Sequence, residues 1–160
     1  MLLSSSFSKS FSLYGERVGA LSIVTTDMDE ATRVLSQVKR VVRANYSNPP
    51  THGAEIVAQV LSTAELRALW EAELAMMRDR IKLMRATLVE RLHERIPDSD
   101  FSFMLRQRGM FSYSGLTEKQ VLRLRNEFAI YVLDTGRICV AALKSRNMDP
   151  VTAAIATVVR

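Results

Sequence analysis

Between residues 18 and 26 the chain reads VGALSIVTT, an apolar, β-branched run that predicts a buried strand. The period then changes. Ala31, Val34, Leu35, Val38, Val41 and Val42 recur at helical spacing. Asp27 is placed to cap that helix, and Asp29 and Glu30 fall in its first turn, where the helix dipole favours acids. NYSNPP (45–50) stops it, and a short helix follows through Ile56, Val57 and Val60.

The longest pattern comes next. Ser62 and Glu65 have the spacing of a capping box, in which a hydroxyl serves an orphan amide and the glutamate reaches back. Leu66, Trp70, Leu74, Met77, Ile81, Met84, Leu88 and Leu92 then recur every three or four residues until Pro97. A helix of roughly 30 residues spans about 45 Å. That exceeds what one small lobe needs and predicts a helix connecting two. Its methionines are expected to be core packing rather than a cofactor box.

The remainder mixes periods. FSFML (101–105) and GMFSYSGL (109–116) read as strands. Thr117 and Gln120 form a second capping box, with Leu116 and Val121 spaced as a hydrophobic staple. A helix through Leu124 and Phe128 leads to IYVL (130–133), a DTG turn and the strand RICVAAL (137–143). Asp149 and Pro150 predict the start of a final helix through Val151, Ile155 and Val158. The whole reads as an α/β chain in which helix predominates, without internal repeats.

Composition narrows the class. With 160 residues, 48% hydrophobic and 24% charged, the chain can bury a core and is not a disordered segment. No apolar run is long enough to span a bilayer, and the apolar part of the opening MLLSSSF is too short for a signal peptide. The single cysteine, Cys139, allows no intrachain disulfide, so the cytoplasm is the expected compartment. The net charge of +5 comes from scattered basic residues. Arg78, Arg80, Lys82, Arg85 and Arg91 alternate with Asp79 and Glu90. Neither nucleic acid nor membrane is expected as a partner; small anions suit this balance.

The stretch SFSKSFSLYGERVG (6–19) carries the candidate chemistry. Ser6 to Lys9 spells S-x-x-K, an acylating serine pattern, but that pattern should open a helix and be joined by S-D-N and K-T-G, which the chain lacks. A lysine amine also condenses with aldehydes. If the aldehyde is that of pyridoxal phosphate, a phosphate must be held nearby, and the hydroxyls of Ser6 and Ser8 and the guanidinium of Arg17 are suitable ligands.

SFSKSFSLYGERVGAL closely resembles the lysine segment of class I aminotransferases of the aspartate and aromatic amino acid branch. VVRANYSNPPTHGAEIV (41–57), DFSFMLRQRGMFSYSGL (100–116) and GRICVAAL (136–143) resemble later segments of that family, in the same order. The resemblance covers essentially the whole chain. It implies a fold-type I, pyridoxal-phosphate-dependent transferase, present as its C-terminal part. Residues 1–75 would be a remnant of the large cofactor domain and residues 76–160 the small α/β domain, joined by the long helix.

By that resemblance Lys9 is the catalytic lysine that holds the cofactor aldehyde, and Ser6 and Arg17 are phosphate ligands, with Ser8 adjacent. Arg137 is the arginine that clamps the substrate α-carboxylate. Arg43, accompanied by Asn45, Tyr46 and Ser47, reaches the distal carboxylate of a dicarboxylate substrate across a dimer interface. Phe111 flanks the substrate pocket. On residue type alone, Phe111 is as well explained by core packing, and Arg137 is better explained by a structural ion pair. The implied activity is transfer of an amino group from aspartate or an aromatic amino acid to a 2-oxo acid such as 2-oxoglutarate. The implied partners are those substrates and either a second copy or the missing N-terminal half. The resemblance also implies a cut one strand ahead of Lys9. The residues that would serve the pyridine ring, its nitrogen and its O3′ then lie outside the chain. A remnant that only self-associates, or that complements the missing half, is the alternative.

Overall fold

The computed structural model describes residues 1–160 throughout. The chain divides into two units, Met1–Leu74 and Ala75–Arg160. The division falls inside one continuous helix.

In the first unit, strands β1 (Leu2–Ser6) and β2 (Gly19–Ile23) pair antiparallel, from Leu2 opposite Ile23 to Ser6 opposite Gly19. A Cβ at position 19 would lie 2.6 Å from the Ser5 carbonyl oxygen, so only glycine allows this approach. Helix α1 (Met28–Tyr46) starts as expected, with the Asp27 carboxylate accepting from the Glu30 amide at 2.7 Å. Its half-buried apolar positions are Ala31, Val34, Val38 and Val42, one stripe of the predicted face; Leu35 and Val41 are exposed. Helix α2 (His52–Ser62) follows, then α3 (Ala64–Arg95).

The second unit contains the C-terminal part of α3, a 3₁₀ turn at Ser102–Arg106, strand β3 (Phe111–Tyr113), helix α4 (Glu118–Phe128), strand β4 (Arg137–Cys139), a 3₁₀ turn at Val140–Ala142 and helix α5 (Ser145–Val159). Met84, Leu88, Val89 and Leu92 of α3 are buried in one core with Met104, Val121, Leu124, Val140, Ile155 and Val158. Both partners of the second capping box are in place, with Gln120 Oε1 accepting from the Thr117 amide at 2.8 Å and Thr117 Oγ1 from the Gln120 amide at 3.4 Å.

Four local expectations are corrected. VGALSIVTT forms a strand, but Leu21 and Val24 are exposed, because the two-stranded sheet has no further strand beside it. Ser62 ends α2 rather than capping α3, its hydroxyl donating to the Gln59 carbonyl at 3.4 Å. FSFML is a 3₁₀ turn: its buried residues, Phe101 and Met104, lie three apart rather than two, and the Asp100 carboxylate accepts from the Ser102 amide. IYVL is irregular. Arg125 takes its Val132 carbonyl at 3.3 Å, and the Leu133 carbonyl closes a tight turn with Gly136. RICVAAL is strand only over Arg137–Cys139.

The final helix also starts earlier than expected. Asn147 Oδ1 accepts from the Lys144 amide at 2.6 Å and opens α5 at Ser145. Asp149 is bonded to Arg95 instead of capping, and Pro150 sits inside the helix.

Candidate functional site

Lys9 sits on a turn that follows directly from β1. The Phe11 amide donates to the Phe7 carbonyl at 3.1 Å, closing the turn around Lys9. An aromatic cluster fixes it in place. Phe7 meets Phe11 edge to face at 5.5 Å between ring centroids, and Phe11 stacks on Trp70 of α3 at 4.6 Å. The Trp70 indole N–H donates to the Ser10 carbonyl at 2.7 Å. The aromatic residues therefore face the helix, and the Lys9 side chain is left exposed.

Tyr14 joins the amine to the guanidinium. Lys9 Nζ lies 4.2 Å from the centre of the Tyr14 ring, and Arg17 Nη1 donates to the Tyr14 carbonyl at 2.9 Å. Arg17 adopts a left-handed backbone, with φ of 53°. Ser6 and Ser8 are brought together as well: their hydroxyl oxygens are 3.2 Å apart, and the Ser8 amide donates to Ser6 Oγ at 3.3 Å. Because Ser6 ends a strand and Lys9 lies in a turn, the S-x-x-K pattern lacks its helix.

The acid next to Arg17 is drawn away from it. Glu16 accepts from His52 Nδ1 at 3.0 Å, at the start of α2. That hydrogen bond and the carboxylate's charge raise the His52 pKa above its ordinary value of 6.5. Gly53 makes the approach possible, since a Cβ there would meet Glu16 Cβ at 2.8 Å.

The remaining candidates form two further groups. Arg43, in the last turn of α1, donates to Ser47 Oγ at 2.6 Å, across a left-handed residue 47 with φ of 71°. Tyr46 is exposed beside it and its hydroxyl makes no hydrogen bond. In the second unit, the Arg137 guanidinium carbon lies 4.9 Å from the centre of the Phe111 ring. Phe111 is 40% exposed, so it is not a core residue. Arg137 makes no ion pair, so its donors remain open to a ligand.

Lys9, Arg17, Arg43 and Arg137 all lack a carboxylate partner, whereas Arg67, Arg91 and Arg123 are tied to Glu71, Glu94 and Glu127. Arg33 and Arg40 also lack one; the shared contact with Tyr14 sets Lys9 and Arg17 apart. Sequence reasoning passed over Tyr14, Trp70 and the Glu16–His52 pair. The L-Y-G-E-R run in the same stretch was the available signal for two of them. No three His, Cys, Asp or Glu side chains gather where a metal could sit, and no helix is long and apolar enough to cross a membrane.

An accessible amine beside hydroxyls, and joined through Tyr14 to an unpaired guanidinium, is the equipment of a protein that holds a carbonyl compound bearing an anionic group. The chain belongs to the aminotransferase class I and II family, which it matches over residues 1–155. It is 67% identical over 156 residues to an aspartate aminotransferase of Pseudomonas aeruginosa, covering 98% of this chain and 39% of that protein. It is 52% identical over 157 residues to an aromatic-amino-acid aminotransferase of Escherichia coli, covering 98% and 40%.

Among solved structures, the aromatic-amino-acid aminotransferase of Burkholderia pseudomallei, covalently bound to pyridoxal phosphate, superposes with a TM-score of 0.94 at 67% identity, over 99% of this chain and 40% of that one. The aromatic amino acid aminotransferase of Psychrobacter sp. B6, cocrystallised with aspartic acid, gives a TM-score of 0.95 at 46% identity, again over 99% and 40%. The chain thus spans about two-fifths of the relatives it matches.

Proposed function

We propose that this chain is the lysine-bearing portion of a pyridoxal-phosphate-dependent aminotransferase acting on aspartate or aromatic amino acids, with a 2-oxo acid such as 2-oxoglutarate as acceptor. In this reading Met1–Leu74 is part of the cofactor domain and Ala75–Arg160 is the small domain. One observation carries it: Tyr14 holds the Lys9 amine against its ring and the Arg17 guanidinium on its carbonyl, so an amine and an anion ligand from two successive turns meet on one residue.

The residues present suit pyridoxal phosphate. Lys9 Nζ is exposed, the paired hydroxyls of Ser6 and Ser8 can donate to phosphate oxygens, and Arg17 has donors beyond the one that Tyr14 takes. No acidic side chain bonds to any of them, Glu16 being committed to His52. When bound, the cofactor supplies an electrophilic carbon and a ring that accepts electrons from the substrate Cα. Lys9 Nζ would hold the cofactor at its aldehyde carbon and, once freed from it, would take up and return the proton at the substrate Cα. Arg137, open in two or more donor directions, clamps the α-carboxylate as a planar fork. Phe111 lines the substrate side chain, and Arg43, with Tyr46 and Ser47, serves a distal carboxylate. The relatives' names, aspartate and aromatic-amino-acid aminotransferase, support both substrate classes. Transamination in this reading belongs to the whole enzyme, homodimeric and in a reducing cytoplasm, of which this chain spans about two-fifths.

The test is covalent. Chain incubated with pyridoxal phosphate, reduced with borohydride and digested should carry the label on Lys9 ahead of Lys39, Lys82, Lys119 and Lys144. Arg17→Met should slow that labelling. Equal labelling of all lysines would overturn the reading. A second reading, a chain that binds rather than catalyses, rests on the exposed Leu2, Leu3, Leu21 and Val24 of the β1–β2 pair.

A further inference from the structure

Strand β3 is built inside out. Its sequence alternates aromatic and serine, and the ordinary arrangement would bury the rings. Here Ser112 is 2% exposed while Phe111 and Tyr113 are 40% and 57% exposed. In the antiparallel pair with β4, Phe111 faces Cys139, Ser112 faces Ile138 and Tyr113 faces Arg137. The outer face therefore carries Phe111, Tyr113 and Arg137, and Arg137 reaches diagonally to the Phe111 ring.

A buried cation lies on the inner side. Arg85 of α3 is 5% exposed and pairs with no carboxylate. Its Nε donates to Ser112 Oγ at 3.2 Å and its Nη2 to the Gly109 carbonyl. Burial, with the charge of Arg108 nearby, disfavours its protonated form. A buried, unpaired guanidinium is costly, and an apolar residue of similar size would pack at less expense. What Arg85 does achieve is geometric. Its planar fork grips two points, the left-handed Gly109 at φ 82° and the middle of β3. Together with the Ser114 hydroxyl, which donates to the Gly136 carbonyl at 2.7 Å, those two bonds hold the serine face inward and so turn the aromatic face, with Arg137, outward.

We propose that Arg85 is a positioning residue for substrate carboxylate recognition: it acts through Ser112 and Gly109 to set the Phe111–Arg137 face. This rests on the reading of Arg137 as the carboxylate ligand. Arg85 touches neither substrate nor Arg137 itself.

The experiment uses the 160-residue chain and nuclear magnetic resonance, with 3-phenylpropionate as the carboxylate probe. The Arg137 δ-methylene signals report the stacking, because the Phe111 ring current displaces them; the Leu124 and Ile155 methyls report the core. In Arg85→Met the Arg137 signals should move to the position of a free arginine and probe affinity should fall about tenfold, with the methyls unmoved. Arg85→Lys, one donor point in place of a fork, should fall between. Should Arg85→Met unfold, Ser112→Ala decides: it removes one of the two grips and should move the Arg137 signals partway. Unchanged Arg137 signals in Arg85→Met, or in Ser112→Ala if that is the variant that folds, would overturn the proposal. Arg137→Met separates the two claims. If it leaves probe binding unaltered while Arg85→Met still moves the Arg137 signals, the carboxylate reading fails and the positioning role stands.

Discussion

His52 and Glu16 lie 36 positions apart and meet at 3.0 Å, tying the turn that carries Arg17 to the start of α2. A protonated histidine at a helix N-terminus opposes the helix dipole, and Glu16 offsets that. Because the folded His52 pKa is raised above 6.5, its contribution to stability is full below 6.5 and is lost as pH rises through the raised value. The melting temperature should therefore decline over that window, and Glu16→Gln should flatten the decline. A pH scan of both proteins checks this. At the same scale, the candidate residues Lys9, Arg17, Arg43 and Arg137 were legible in the sequence, because long segments around them carry the family resemblance. What they touch was not. Tyr14 is an ordinary tyrosine until the turn folds back and places its ring under Nζ.

Elements were legible where the pattern was long and local. α1 and its Asp27 cap, α2, α3 and α4 with its capping box all follow from apolar spacing and side chains three residues apart. The misread stretches are short: local bonds decided FSFML and the end of α2, and a distant one, Arg95 on Asp149, took the residue expected to open α5. Two substitutions test this scale. Trp70→Ala removes the stack on Phe11 and the bond to Ser10, and should cost about 2 kcal/mol by denaturant unfolding. It should also slow borohydride trapping at Lys9, since α3 then no longer holds the turn. Ala129, exposed and left-handed at φ 54°, ends α4 where glycine is favoured. Ala129→Gly should stabilise the chain by about 0.5–1 kcal/mol, read as a rise in melting temperature.

At the scale of the whole chain, apolar surface is left uncovered. Leu2, Leu3, Leu21 and Val24 are exposed around the two-stranded sheet, and Val34, Val38, Val41 and Val42 line a groove with Leu21. Surface of this kind, beside free strand edges, seeks a partner. Sedimentation of the chain should show concentration-dependent association, and Leu21→Asp should weaken it. A single monomeric species at high concentration would contradict this.

Period, caps and the order of the segments were determined by the sequence itself: they are local, and each is written within a few residues. The helices, the α1 and α4 caps and the family all follow from them. Tertiary structure alone decided which face of a strand turns inward. FSYS alternates the same way in either orientation, and a rotation by one residue exchanges the rings for the serines. Arg85, 27 positions away, takes Ser112, and the Gly136 carbonyl takes Ser114; partners from elsewhere settle that choice in favour of buried serines, and so bring Phe111 and Arg137 to the surface together.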